Sequence, residues 1–165
     1  MGCSGNIQVA FYEGTHVIKL SGDIRLNLCG GLDDYLNEIL STPNFKNIII
    51  DLSKAEAIDS TTLGQLAKVS ILSRERFNIT PTIVSPVASI TRLLKSMGFE
   101  QVFHLIHEPF KNNFEYEEWI TDEINEEEGR QQVIEAHRVL MSLNDKNKSE
   151  FQDLVNSLEA ESHNQ

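Results

Sequence analysis

Apolar positions divide the first two thirds of this chain into short, closely spaced elements. Ile7 to Phe11 and Thr15 to Leu20 read as two strands, and Glu13-Gly14 between them is a tight-turn signal. Ser21-Gly22-Asp23 breaks the pattern. Leu28, Leu32, Leu36, Ile39 and Leu40 then recur at helical spacing, and Pro43 closes that helix. Asn47 to Leu52 carries the β-branched run Ile48-Ile49-Ile50, which predicts a central strand buried on both faces. After a short loop, Leu63, Leu66, Ala67, Val69 and Ile71 predict a helix over residues 60–76. Ile79 to Val84 reads as a strand, with Pro81 arguing for an edge or an irregular start. Ser85-Pro86 marks a boundary. Ile90, Leu93, Leu94 and Met97 predict a helix stopped by Gly98, and Val102 to Ile106 a last short strand. The order β-β-α-β-α-β-α-β implies an α/β fold, a mixed sheet with helices packed on it.

From Phe110 the pattern changes. Phe114, Trp119, Ile120 and Ile124 are scattered among acidic residues, and Gly129 interrupts. Val133, Ile134, Val139, Leu140 and Leu143 follow a helical pattern, Asn144 to Lys148 reads as a turn, and Ser149 with Gln152 resembles a capping box. Phe151, Leu154, Val155 and Leu158 form a narrow stripe on an otherwise polar helix. A stripe on so short a helix has to be buried, on the body of the chain, on the preceding helix around Val133 to Leu143 or on another protein, and a helical hairpin would bury most of it while acting separately from the rest of the chain. The expected division is residues 1–106 as one domain and 107–165 as an acidic helical extension.

Charge sharpens that division. The 165 residues carry a net charge of −11. Residues 1–106 hold ten acidic and nine basic side chains, whereas residues 107–165 hold fifteen acidic and five basic. Such a balance argues against nucleic acid as a partner, because phosphate binding needs a basic face. With 40% hydrophobic and 24% charged residues the composition is that of a globular protein. No apolar run approaches the roughly 18 residues of a membrane span. Met1 to Asn6 lacks the regions of a signal peptide and the myristoylation pattern, so a cytoplasmic protein is expected. Cys3 and Cys29 form no C-x-x-C pair and read as unpaired thiols.

The informative segment is Ile48-Ile49-Ile50-Asp51-Leu52-Ser53 followed by Ala57-Ile58-Asp59-Ser60-Thr61-Thr62-Leu63-Gly64. A buried strand ending in Asp-Leu, a loop, and a D-S-[ST]-x-L-G helix start resemble the STAS-domain family of anti-sigma-factor antagonists. Gly22-Asp23, Ser85-Pro86 and the stretch from Leu94 to Phe99 match in order, so the resemblance covers about residues 6–106. It implies a STAS fold and makes Ser60 the phosphorylation site. It also places Asp23, Asp59, Thr61, Thr62 and Leu63 at the partner-binding surface, with Asp23 beside the switch loop. The partners it implies are a serine kinase that is itself the anti-sigma factor, and a PP2C-type phosphatase. ATP belongs to the kinase, so no cofactor is expected. Many members have Gly where this chain has Thr62, which leaves Ser60, Thr61 and Thr62 as adjacent hydroxyls.

A switch is also physically reasonable at this position. A phosphate on Ser60 would lie in the favourable field of a helix start, yet add about −1.5 to −2 charges where a partner docks. Catalysis is not expected. Ser60 lacks a G-x-S-x-G elbow, and His16, His104, His107, His137 and His163 show no metal-ligand spacing. The discriminating observation is whether a histidine lies within hydrogen-bond reach of Ser60. Two non-enzymatic alternatives are an unphosphorylated scaffold acting through the acidic tail and a transporter-linked STAS domain.

Overall fold

The computed structural model describes residues 5–119 and 124–163. Strands β1 (Asn6–Tyr12) and β2 (Thr15–Ile24) form the expected hairpin, paired from Asn6↔Ser21 to Tyr12↔Thr15. Its turn places Glu13 and Gly14 at φ of 48° and 86°, the twist that a two-residue hairpin turn requires. Helix α1 (Leu26–Leu40), β3 (Asn47–Asp51), β4 (Ala55–Ile58), α2 (Ser60–Phe77), β5 (Thr82–Val84), α3 (Ala88–Ser96) and β6 (His104–Ile106) follow. With β7 (Glu117–Glu118), the sheet order is β6-β5-β3-β2-β1-β7, and β4 pairs with β2 off that path. The β1 pairings are antiparallel and the others parallel, so the sheet is mixed as expected.

Two strands differ from expectation in ways that matter for the site. β2 does not stop at Ser21. Gly22, at φ 79°, lets it bend through a bulge and run on to Ile24, where it pairs with β4. The sequence Ala-Glu-Ala-Ile of β4 is too short and too poor in strand formers to be read without that partner. Pro81 is not inside a strand. β5 begins just after it and lies between β3 and β6, where a residue without an N–H could not pair.

The core lies between the sheet and its helices. Ile18, Leu20, Ile48 and Ile50 are fully buried with Leu32, Leu63, Leu66 and Phe99. Ile49 points to the other face and is partly exposed, so β3 is not buried on both sides. That second face, shared by Val17, Lys19, Ile49 and Asp51, meets the segment after β6: Lys19 Nζ sits 5.3 Å above the Tyr116 ring, and Phe114 stacks on Tyr12. Trp119 packs on Tyr35 at 4.8 Å, and its backbone N–H donates to Ile7 O.

The tail is a hairpin of α4 (Glu126–Leu143) and α5 (Asp145–His163), docked on the body. Gly129 does not interrupt it but lies inside α4. The capping residue of the tail is Asn125, whose Oδ1 accepts the Glu128 N–H at 2.8 Å while its side-chain amide donates to the Glu128 carboxylate at 3.0 Å. Ser149 lies within α5, since the expected turn at 144–148 shrinks to the extended residue Asn144. On α5, Phe151 and Val155 are buried and Leu158 is partly buried, but Leu154 is 41% exposed. The buried strip is narrower than the i, i+3, i+4, i+7 pattern suggested. Leu140 and Phe151 join the main core, and Arg138 pairs with Glu159 across the hairpin. The expectations for Cys3 and Ile120, and for the side chains of Leu28, Cys29 and His163, lie outside the described residues.

Candidate functional site

The bulge at Gly22 and the short β4 together fix where α2 begins. Ile58 pairs with Ile24, and the next N–H, that of Asp59, donates to Ile24 O at 3.0 Å. Asp59 therefore enters the helix in an extended conformation (φ −79°, ψ 165°) suited to an N-cap. Its Oδ1 accepts the Thr62 N–H at 2.8 Å and the Thr62 hydroxyl at 2.7 Å. The Thr62 side chain thus strengthens the cap from inside. Replacing Asp59 with Ala should cost about 1 kcal/mol, read as a fall of about 3 °C in Tm. A melt unchanged within error would mean that the cap is not formed in solution.

Ser60 is the first residue of α2 and is partly exposed. Asp23 lies alongside, on the extension of β2 opposite Ala57, with Arg25 Nε donating to its carboxylate at 2.7 Å. The structure thus brings Asp23, Asp59 and Ser60 to one end of the sheet. Thr61, Thr62 and Leu63, expected to face a partner, are instead 5%, 0% and 1% exposed. Leu63 packs in the core, Asp59 holds Thr62, and α4 lies along α2.

What covers Ser60 comes from the tail. Its Oγ is 2.7 Å from Nε2 of His137 on α4. His137 Nδ1 faces Val133 O, also at 2.7 Å. A carbonyl only accepts, so Nδ1 carries the proton, and in the neutral ring Nε2 accepts from the Ser60 hydroxyl. A histidine does therefore lie within reach of Ser60, as a nucleophile and its base would. The surroundings differ from those of such a pair. His137 is 2% exposed, Phe151 lies edge-on against it at 4.9 Å, and its orienting partner is its own helix's carbonyl instead of a carboxylate. The open hollow of about 750 Å³ beside Asp59 is lined by Arg25, Asn125, Arg130, Val133 and Leu158, but by neither Ser60 nor His137.

One turn further along α2, Gly64 makes the docking possible. A Cβ there would stand 2.2 Å from Ala136 O, so only glycine admits α4 this close. Lys68 then reaches Glu135 at 2.6 Å and Asp33 of α1 at 3.6 Å. Burial opposes the Lys68 charge, but Glu135 and Asp33 outweigh it and hold its pKa above the ordinary lysine value. Burial lifts the Asp33 carboxyl above its usual range, and Lys68 only partly offsets this. At the far end, the buried Asn147 donates to Met97 O and Leu140 O, both at 2.9 Å. Gly98, at φ 86°, leaves room for Asn144, whose Nδ2 would lie 2.6 Å from a Cβ there.

Nothing in the local sequence marks Ala136 or Asn147, and His137 is legible there only as one of five histidines without metal-ligand spacing. Gly64 was quoted only as part of a motif, although a glycine inside a helix is itself a sign of close approach. Among the described residues no group of three or more His, Cys, Asp and Glu is placed to hold a metal ion, and no helix is long and apolar enough to cross a membrane.

STAS domains, whose mixed α/β fold this chain shows, are protein-interaction modules. The STAS-domain family model matches residues 6–116, and the chain belongs to that family. STAS domains are modules of the kind found in sulfate transporters and anti-sigma-factor antagonists.

Proposed function

We propose that this chain is a cytoplasmic, phosphorylation-controlled interaction switch, an anti-sigma-factor antagonist that when unphosphorylated sequesters a serine-kinase anti-sigma factor or a related regulator. The observation that carries this reading is the placement of Ser60 as the first, partly exposed residue of α2, directly after the capping Asp59 and beside Asp23. A kinase would transfer the γ-phosphoryl group of ATP to Ser60 Oγ. The new P–O bond forms as the bond to the β-phosphate breaks, ADP leaves, and the hydroxyl proton passes to the kinase's base. A PP2C-type phosphatase would remove the group by hydrolysis: water attacks phosphorus, the bond to Ser60 Oγ breaks, inorganic phosphate leaves, and Oγ regains a proton. The helix terminus tolerates the phosphate, and a docked partner does not. Asp23 and Asp59 would flank the contact, Thr61 would join it once α4 moves, and Thr62 and Leu63 would shape it from within.

Labelling with the cognate kinase and ATP should phosphorylate the wild type at residue 60, and Ser60→Ala should abolish the signal. Undiminished label on that variant, mapped to Thr61 or Thr62, would overturn the assignment. A second reading, a scaffold that works unphosphorylated through its acidic tail, is favoured by the exposed run Glu126-Glu127-Glu128 at the start of α4. It expects no phosphate at Ser60 and partner binding that survives Ser60→Asp but is lost when those three glutamates become glutamine.

A further inference from the structure

We propose that α4 is a stand-in, carried by the chain itself, for a partner's helix on the outer face of α2, and that it cannot stay docked once Ser60 is phosphorylated. The inference rests on the reading of Ser60 as the control residue and extends it to the kind of partner and to how access is governed.

The α2 face is built to receive a helix at short range. Gly64 presents bare backbone to Ala136, Lys68 meets Glu135, and Ser60 meets His137. Three consecutive residues of α4 thus supply a carboxylate, a side chain no larger than alanine, and a hydrogen-bond acceptor. A partner helix that competes for this face should carry the same features at the same crossing. Because α4 is tethered, the partner sees only the fraction of molecules in which it has lifted off, and apparent affinity falls by that fraction.

Phosphorylation conflicts with the docked state in either rotamer of Ser60. With Oγ kept where it is, the phosphoryl group replaces the proton that joins it to Nε2 and needs the space that the imidazole fills. With Oγ turned outward, the buried Nε2 loses its partner, and an unpaired polar group in such a site is unfavourable. The tail and Ser60 are therefore not independent, contrary to the expectation from sequence. Unphosphorylated chain would exchange between tail-closed and partner-bound forms. Phosphorylated chain would be open, yet repel the partner by its charge.

Hydrogen exchange on the full-length protein tests the gate without any partner. Three forms suffice beside wild type: phosphoserine installed at position 60, Ala136→Arg, and Gly64→Ala. In all three, amides of α4 and α5 should exchange at least about tenfold faster, while those of β2 and β3 stay as in wild type. Gly64→Ala is the sharpest, because alanine favours the isolated α2 helix and can loosen the hairpin only through the crossing. If the phosphoserine chain protects α4 as well as wild type does, or better through a charged His137–phosphate pair, the gate is wrong. Binding to the anti-sigma-type kinase then separates the partner's character. Ala136→Arg should bind more tightly than wild type, whereas Gly64→Ala should not, since the partner helix needs the same glycine. Equal gains in both would show that the partner does not imitate α4. An open tail with no kinase binding in any form would sink the proposed function and leave the gate standing.

Discussion

Placing an aspartate at Val155 should strongly destabilise the C-terminal hairpin, whereas the same change at the adjacent Leu154 should leave it as stable as before. Val155 is 2% exposed, one helical turn beyond the buried Phe151 and on the same side of α5. A carboxylate there must either be buried unpaired or force α5 off, at a cost of about 3 kcal/mol or more. Leu154 is 41% exposed, so the polar replacement stays within about 0.5 kcal/mol. In thermal melts followed by circular dichroism, Val155→Asp should lower the hairpin transition by about 6–12 °C, and Leu154→Asp should match wild type. Limited proteolysis of α4 and α5 should rank the two variants the same way. Equal behaviour of the pair would mean that the hairpin does not dock as described.

Asn147→Ala is the other change with a large expected effect. Asn147 is fully buried, and its single NH₂ group donates to Met97 O at the end of α3 and to Leu140 O near the end of α4. Alanine removes both donors and leaves two carbonyls facing a small void. About 1–3 kcal/mol for each unsatisfied group sets the expected loss at roughly 3 kcal/mol. Asn144 Nδ2 also donates to Met97 O, but at 3.4 Å the bond is long and weak and offsets little of the loss. The hairpin should therefore loosen as it does in Val155→Asp, but from its hinge end, with faster exchange at residues 140–150 before residues 126–135. A melt within about 1 °C of wild type would exclude this role.

Both predictions concern the part of the chain least legible in its sequence. The β1–β2 hairpin, α1, β3, α2 and α3 could be read from local pattern because each obeys its own period and ends at its own turn residue. Glu13-Gly14, Pro43, Asp59 and Gly98 act within a few residues of themselves. β4 could not be read in this way. Ala55–Ile58 is a strand because Gly22 bends β2 into reach, a condition set thirty residues earlier. The division of the tail into helices is illegible for a related reason. Ser149-x-x-Gln152 fits a helix start as well as Asn125-x-x-Glu128 does, and only the tertiary structure, in which Asn147 is held by Met97 O and Leu140 O, shows that α5 has already begun at Asp145.

The sequence by itself determined that this is an α/β domain with an acidic helical tail, and that Asp59-Ser60 opens its second long helix. Those statements depend on periodicity, capping and charge, which act over one or two turns of chain. Tertiary structure alone decided that His137, 77 residues away, receives the Ser60 hydroxyl, that Gly64 is the seat of Ala136, and that Thr61, Thr62 and Leu63 are covered. A glycine in a helix and a histidine on a helix face carry no address in one dimension. Their meaning arises when the docking of α4 brings backbone against backbone and leaves one buried nitrogen with one hydroxyl to bind.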